Sequence, residues 1–492
     1  MTQSLPQQST LIDARPIAYI VGWVLTALAI LMLIPAATDA AAGLPNAAAF
    51  VQSAVYTGLT GLLIALATRN SLGRGLDVRQ AYLLTIAIWG VVPLFGALPF
   101  MIGAPGLGFT DAYFEAVSGV TTTGSTVIVG LDALPPGMNL WRGMLNSLGG
   151  LGIAFVAMIF LPVMRVGGMQ FFRTEGFDTM GKALPRATDI ARSLVVVYTG
   201  LTVFCILTYG ILGMSALDAV VNGMASIATG GFSPSDISFT KYQGLPEYAG
   251  AFFMVLGSLP YIRYVQLTSG QAKPLLRDLQ VRTYLKILLV ATLAVTLWRL
   301  STSDMAVEAA FRETLFNLAS IASGTGFFSG TFSSWEGFSM IVAFILGLIG
   351  GCSGSSSGAL TVFRVQLAVK ALVAQIRLIH LPNRITIIKY DGRKVDDDVM
   401  NALILYVTGY IVTIGVLSIC MTFAGIDAVS AIYGIWTSIG NIGYGYGPMV
   451  VRTGTFVDFP DSAKWLMILA MTMGRLGLLT LFVLVLPRFW QR

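Results

Sequence analysis

The sequence predicts an all-α integral membrane protein. Four pseudo-repeats of span, half-helix, pore loop and span surround one central pore, and two extra spans precede them. Three observations carry this expectation. The 492 residues are 55% hydrophobic and only 11% charged. Apolar runs of bilayer length recur along the chain. A short apolar stretch followed by a glycine- and threonine-rich loop returns four times.

The spans come first. Runs at 16–37, 47–68, 80–102, 140–164, 190–212, 247–268, 284–300, 336–350, 400–424 and 463–487 make ten crossings. Those at 111–121, 217–228, 311–322 and 430–440 are too short to cross. The first span reads as a retained anchor, since no small-residue cleavage site follows a short apolar core. The units divide at 1–75 for the two-span opening, then 76–185, 186–278, 279–385 and 386–492 for the repeats.

Charge fixes the orientation. The net charge is +6, and 22 of the 30 Lys and Arg residues fall in 1–15, 69–79, 165–192, 273–286, 364–394 and 488–492. The alternate loops carry acids such as Asp39, Asp132, Asp236 and Asp458. This is the positive-inside distribution, with both termini cytoplasmic, as an even number of spans also requires. It accounts for the basic surplus without nucleic acid. Cys205, Cys352 and Cys420 are widely spaced, form no ligand motif, and read as packing residues.

The repeat is the informative feature. Loop glycines Gly124, Gly230, Gly326 and Gly443 lie 106, 96 and 117 residues apart. Asp111, Asp218, Glu313 and Ser430 open the short segments before them, at intervals of 13, 12, 13 and 13. A helix of about 11–12 residues rises roughly 17 Å, about half of a hydrocarbon core of roughly 30 Å. Each therefore enters from the outer face and stops near the midplane. Irregular backbone at that depth must be buried in protein or line a watery cavity. Four such loops on one axis can offer rings of carbonyl oxygens in place of a cation's water. Glycine permits the positive φ that such carbonyl orientation requires, threonine supplies hydroxyls, and the negative helix ends favour a cation.

On "FEAVSGVTTTGST", "SLGGLGIAFVAMIFLP", "ATGGFS", "GGCSGSSSG", "RLIHLPNRITIIKYDGRKVDDDVM" and "MGRLGLLT", the chain resembles TrkH-type subunits of the Trk/Ktr/HKT superfamily of potassium transporters. The likeness covers essentially the whole length, and the two extra spans favour the Trk branch. It implies a K⁺ filter of Thr122-Thr123-Gly124, Ala228-Thr229-Gly230, Gly324-Thr325-Gly326 and Asn441-Ile442-Gly443. It also implies potassium uptake across a bacterial plasma membrane, with K⁺ as the transported ion and no bound organic cofactor. The expected partners are a second copy in a homodimer, membrane lipid, and a cytosolic TrkA-type nucleotide-binding ring. Glycine in all four loops fits potassium over sodium. Gly324 departs from the threonine run more usual in relatives, and the asparagine-based fourth loop makes the ring only pseudo-fourfold.

Two features lie on the cytoplasmic side. "GGCSGSSSG", 350–358, is too rich in glycine and serine for a stable lipid-facing helix. Its residues suit either a helix contact through Gly354 and Gly358 or a loop across the conduction path. The resemblance favours a gating loop of Gly351, Ser353, Gly354, Ser355, Ser356, Ser357 and Gly358. Arg475 sits mid-span, where an arginine costs from about 2.5 to more than about 10 kcal/mol unless it faces protein or water. It reads as paired to backbone carbonyls or, as the resemblance implies, as a fixed charge in the gate. Gly477 stands where relatives commonly carry an acid.

His380 is the only histidine and reads as solvated surface, and Asp396, Asp397 and Asp398 read as a helix opening. The basic segments 165–192 and 364–394 suit a regulatory ring or lipid headgroups. An alternating-access carrier coupled to Na⁺ or H⁺ also uses broken helices, but calls for two inverted halves rather than four parallel units. An intramembrane enzyme lacks HExxH, GxSxG or paired acids within spans.

Overall fold

The computed structural model describes residues 12–71, 76–155, 187–380, 387–478, 482 and 487–490. Helices dominate. A small antiparallel hairpin, Lys389–Tyr390 with Arg393–Lys394, is the β-structure among the described residues.

The chain opens with α1 (Arg15–Ala41) and α2 (Ala47–Ala67), packed along one another. They touch backbone to backbone where they cross. A β-carbon on Gly22 would stand 2.7 Å from the Gly61 carbonyl oxygen, and one on Gly61 the same distance from that of Gly22. Small residues allow this approach where no hydrophobic force drives helices together. At the C-terminal end of α1, buried Asp39 accepts hydrogen bonds from Asn46 Nδ2 (2.7 Å) and the Gly137 amide (2.6 Å). That carboxylate ties the pair to the rest of the bundle.

Four stretches then share one order: a long helix, a short one, an irregular loop and a further helix. The first has α3 (Val78–Gly96), α4 (Phe109–Val120) and α5 (Pro136–Phe155). The second has α6 (Ala187–Ile211), α7 (Ala216–Ala228), α8 (Leu245–Gly257) and α9 (Tyr261–Thr268). The third has α10 (Leu279–Thr302), α11 (Val307–Ser323), α12 (Gly337–Ile349) and α13 (Val362–His380). The fourth has α14 (Asp397–Phe423), α15 (Ala428–Ile439) and α16 (Asp461–Leu476).

Boundaries follow local chemistry. Asp77 and Gln80 form a reciprocal capping box at α3, and Asp427 caps α15 by accepting from the amides of Val429 and Ser430. Asp396 to Asp398 open α14, where acids suit the helix dipole. Glu313 is the exception: α11 starts six residues before it, so it lies in the second turn rather than opening the helix.

Among the described residues, six helices are long and apolar enough to cross a membrane: Arg15–Ala41, Ala47–Ala67, Arg79–Ile102, Ala191–Ile211, Leu279–Thr302 and Asp397–Phe423. Three of the other expected spans are interrupted. That at 247–268 breaks at 258–260, where Pro260 has no amide to continue the ladder. That at 336–350 ends after 13 residues at Gly350 (φ +71°). That at 463–487 stops at Leu476, before Gly477 (φ +77°). Both glycines adopt a left-handed geometry that L side chains resist. The expected span at 140–164 is described to Phe155; its remainder and most of the basic segment 165–192 lie outside the described residues. All three cysteines are free, with Cys205 and Cys352 buried.

Candidate functional site

The short helices α4, α7, α11 and α15 all end in the same backbone turn. At its corner stand Thr122 (φ +47°), Thr229 (+50°), Gly324 (+74°) and Asn441 (+51°). Each corner amide donates to the carbonyl three residues back, at 3.0, 3.3, 3.0 and 3.2 Å. The next amide donates five residues back: Thr123 to Ser118, Gly230 to Ala225, Thr325 to Ser320 and Ile442 to Thr437, at 2.8–2.9 Å. Positive φ costs a β-branched residue about 1–3 kcal/mol. Thr122 and Thr229 carry that strain, whereas Gly324 is free of it and Asn441 tolerates the region better.

One residue further on is a glycine of positive φ: Gly124 (+88°), Gly231 (+70°), Gly326 (+82°) and Gly443 (+90°). Their surroundings close a cycle. A β-carbon on Gly124 would overlap the Gly230 carbonyl, one on Gly231 that of Thr325, one on Gly326 that of Ile442, and one on Gly443 that of Thr123. Each loop thus packs bare backbone against the next, and the fourth returns to the first.

This geometry corrects the register of the second loop. Its corresponding triplet is Thr229-Gly230-Gly231, not the expected Ala228-Thr229-Gly230; Ala228 is the last residue of α7. "ATGGF" contains two adjacent glycines, and only the second has the left-handed φ. With Gly231 in place, Asp111, Asp218, Glu313 and Ser430 all precede their loop glycine by thirteen residues (124 − 111, 231 − 218, 326 − 313, 443 − 430).

Two of the threonine hydroxyls take the supporting role open to them beside that of a carbonyl stand-in. Thr123 Oγ1 pairs with Thr121 Oγ1 at 2.7 Å, and Thr325 Oγ1 with Ser323 Oγ at 2.6 Å. Asn441 Nδ2 donates across to Thr123 Oγ1 (2.9 Å) and to the Met471 carbonyl (3.0 Å). These side chains brace the loops from behind.

Further struts run from the short helices to the loop exits. Glu115 accepts from the Val127 amide (3.0 Å), Thr126 Oγ1 and Arg142 Nε (2.9 Å), and Arg142 donates on to the Ser233 carbonyl (2.7 Å). Asn317 takes the same place in the third loop, accepting from the Ser329 amide and donating to its carbonyl, both at 3.0 Å. In the sequence Arg142 carries no sign of this role, because one arginine near a span end reads as topology. Removing the charge of Glu115 strands a fully buried guanidinium. Glu115→Ala is expected to destabilise the detergent-solubilised protein by about 3–5 kcal/mol, read as a fall in thermal midpoint.

Towards the starts of the short helices, Asp111 accepts from Lys464 (2.6 Å), Asp218 from Lys241 (3.0 Å), and Glu313 from Arg299 (3.0 Å). The hydrogen bond to Asp218 holds the Lys241 ammonium above the usual lysine range.

Below the ring lies the 350–358 segment. Its neck is closed by amides of Leu360, Thr361 and Val362 donating to the carbonyls of Leu348 (3.2 Å), Ile349 (2.8 Å) and Gly351 (2.9 Å). Its tip is bound to the second stretch: Cys352 donates to the Ser258 carbonyl, Tyr261 to that of Gly354, and Ser356 Oγ pairs with Tyr261 Oη at 2.8 Å. Ser357 Oγ donates to the Ser323 carbonyl, directly beneath the third corner.

Arg475 joins this segment to the ring. Its guanidinium donates to the Ser356 carbonyl (2.7 Å), to the carbonyls of Thr121 and Thr122, and to Thr122 Oγ1. Oxygen atoms of neutral groups supply the balance, since it meets no carboxylate among the described residues. Arg475 is thus paired to carbonyls, and those carbonyls belong to the ring and to the 350–358 segment. A cavity of about 60 Å³ lies against Arg475 and the 350–358 segment, with Ser353, Gly354, Gly358 and a second buried arginine, Arg364, in its wall. Arg364 donates to the Leu360 carbonyl (2.9 Å) and lies over the Tyr406 ring. In the sequence it is one of several basic residues of 364–394, with nothing to mark it as buried. His380 is exposed in the last turn of α13.

Known proteins share this architecture. The family model described as TrkH, cation transport protein, matches residues 47–492. The Trk system potassium uptake protein TrkI of Halomonas elongata is 36% identical over 479 residues, covering 97% of each chain. The Trk system potassium uptake protein TrkH of Escherichia coli (strain K12) is 34% identical, covering 90% of this chain and 92% of its own. The crystal structure of the potassium transporter TrkH from Vibrio parahaemolyticus superposes with a TM-score of 0.88 at 28% identity, over 98% of this chain and 100% of that one.

Proposed function

The chain belongs to the TrkH family of cation transport proteins, and we infer on that footing that it takes up potassium across a bacterial inner membrane. Ten crossings, with both termini cytoplasmic, surround one pore in four pseudo-repeats. Its filter is Thr122-Thr123-Gly124, Thr229-Gly230-Gly231, Gly324-Thr325-Gly326 and Asn441-Ile442-Gly443. The observation that carries this reading is the closed cycle in which each loop's glycine backs onto its neighbour's carbonyl. Four loops so packed hold their carbonyl oxygens at fixed spacing, and fixed oxygens can replace the water of a large monovalent cation.

The gate is the 350–358 loop together with Arg475. In this arrangement the loop is tied to three of the four stretches, and a buried positive charge stands directly under the filter. A cation leaving the filter inward meets that charge, so conduction requires Arg475 and the loop to part from Thr121 and Thr122. Glycine at 350, 351, 354 and 358 makes the segment easy to rearrange.

The test is reconstitution into liposomes. K⁺ and Rb⁺ are expected to move down their gradient while Na⁺ is excluded. Flux that demands a Na⁺ or H⁺ gradient would replace the pore with a coupled carrier. The subunit is further assigned to a homodimer carrying a TrkA-type nucleotide-binding ring at its basic cytoplasmic face. Co-purification of such a ring with the wild type, and its loss when the exposed Arg377, Lys389, Arg393 and Lys394 are neutralised, is the expected result.

A further inference from the structure

A cleft of about 370 Å³ runs between α10 and α12 on the outside of the bundle. Its walls are the side chains of Val290, Ala294, Ile345, Leu346 and Ile349, and Lys286 stands at one end. Lys286 and Arg282 are four residues apart near the cytoplasmic end of α10 and share a helix face; both are exposed. With the cytoplasmic end of α10 placed as the positive-inside distribution requires, they fall at the level of the inner headgroups and the apolar cleft in the hydrocarbon. A narrower crevice continues inward, sharing Ile287, Leu346 and Ile349, and ends on Tyr284, Ala322 and Gly350.

We propose that this cleft binds an anionic phospholipid of the inner leaflet, one acyl chain against α10 and α12 and its phosphate on Lys286 and Arg282, and that the bound lipid stabilises the closed arrangement of the 350–358 loop. Two basic residues beside an apolar slot complement the charge and the chain of such a lipid. The coupling to the loop is direct. The Leu346 and Ile349 that line the cleft also supply carbonyls to the loop's neck, accepting from the amides of Gly350 (2.9 Å) and Thr361 (2.8 Å). A chain seated there holds the last turn of α12 in the geometry that closes the neck. Loss of the lipid frees that turn.

This regulation rests on the transport reading above, so binding and flux are measured separately. The full chain is placed in mixed phosphatidylglycerol and phosphatidylcholine nanodiscs, and lipid retained on release is read by native mass spectrometry. Arg282→Gln with Lys286→Gln is expected to weaken phosphatidylglycerol retention by about fivefold per charge removed. Ala294→Trp, which fills the slot and keeps both charges, is expected to abolish retention at this site. Both variants should raise K⁺ flux in phosphatidylglycerol liposomes to the level of wild type in pure phosphatidylcholine. Unchanged retention in both variants overturns the site, as does efficient Val290→Cys crosslinking between two copies, which would make the cleft a protein interface. Lost retention with unchanged flux overturns the link to the loop. A wild type that conducts no potassium in any lipid sinks the transport reading instead, while retention still scores the site.

Discussion

Potassium flux through the Arg475→Ala protein is expected to exceed that of the wild type by roughly a hundredfold. A unit charge about 5 Å from a passing cation, at an effective dielectric of about 20, raises the cation's energy by about 3 kcal/mol, and that sets the factor. The same substitution frees the Ser356 carbonyl and both first-corner carbonyls, so the loop loses its tie to the filter. Deleting 353–357 is expected to act in the same direction by removing the obstruction itself. Arg475→Lys keeps the charge but cannot span the same four acceptors, and should give intermediate flux. Rubidium uptake into liposomes, normalised to inserted protein, reads all three. Unchanged or lower flux in both the alanine and deletion variants would end the gate assignment.

The second large effect belongs to Gly231. Alanine there is expected to cut potassium flux by more than about tenfold and to let sodium through. Left-handed backbone alone costs alanine only about 1 kcal/mol. The larger consequence is steric: the new methyl overlaps the Thr325 carbonyl, and relieving it means parting the second and third loops. Ala228→Gly is the control, since that residue ends α7 outside the ring, and its flux and selectivity should stay near wild type. The opposite pattern, with Ala228 sensitive and Gly231 tolerant, would restore the register first expected from the sequence. Paired measurements of K⁺ and Na⁺ permeation decide between them.

Much of this was legible beforehand, for identifiable reasons. Apolar runs are strong, local signals, and they found the long helices. The half-helices were found by length, because a run that cannot cross and yet precedes glycine has few places to go. The second loop went one residue astray because "TGG" offers two glycines and spacing alone chose the wrong one; only φ distinguishes them. The broken spans at 258–260 and 477 were missed because hydropathy averages over a single proline or glycine. Arg142, Lys464 and Arg364 were invisible for another reason. Their roles lie in partners such as Glu115, Asp111 and Tyr406, which are far away in sequence. The fate of the threonine hydroxyls was likewise a matter of rotamer and neighbour, which composition does not carry.

The cycle of loops also sets when this protein can first become competent. Its closing contact joins Gly443 to Thr123, on opposite ends of the chain. During synthesis the first and third loops must wait, each partnered on one side only, until nearly the whole polypeptide has been inserted, and contacts so distant repay their closure entropy last. A chain halted before residue 440 would hold every helix of the first three stretches and still have an unfinished mouth. Assembly therefore ends where permeation begins.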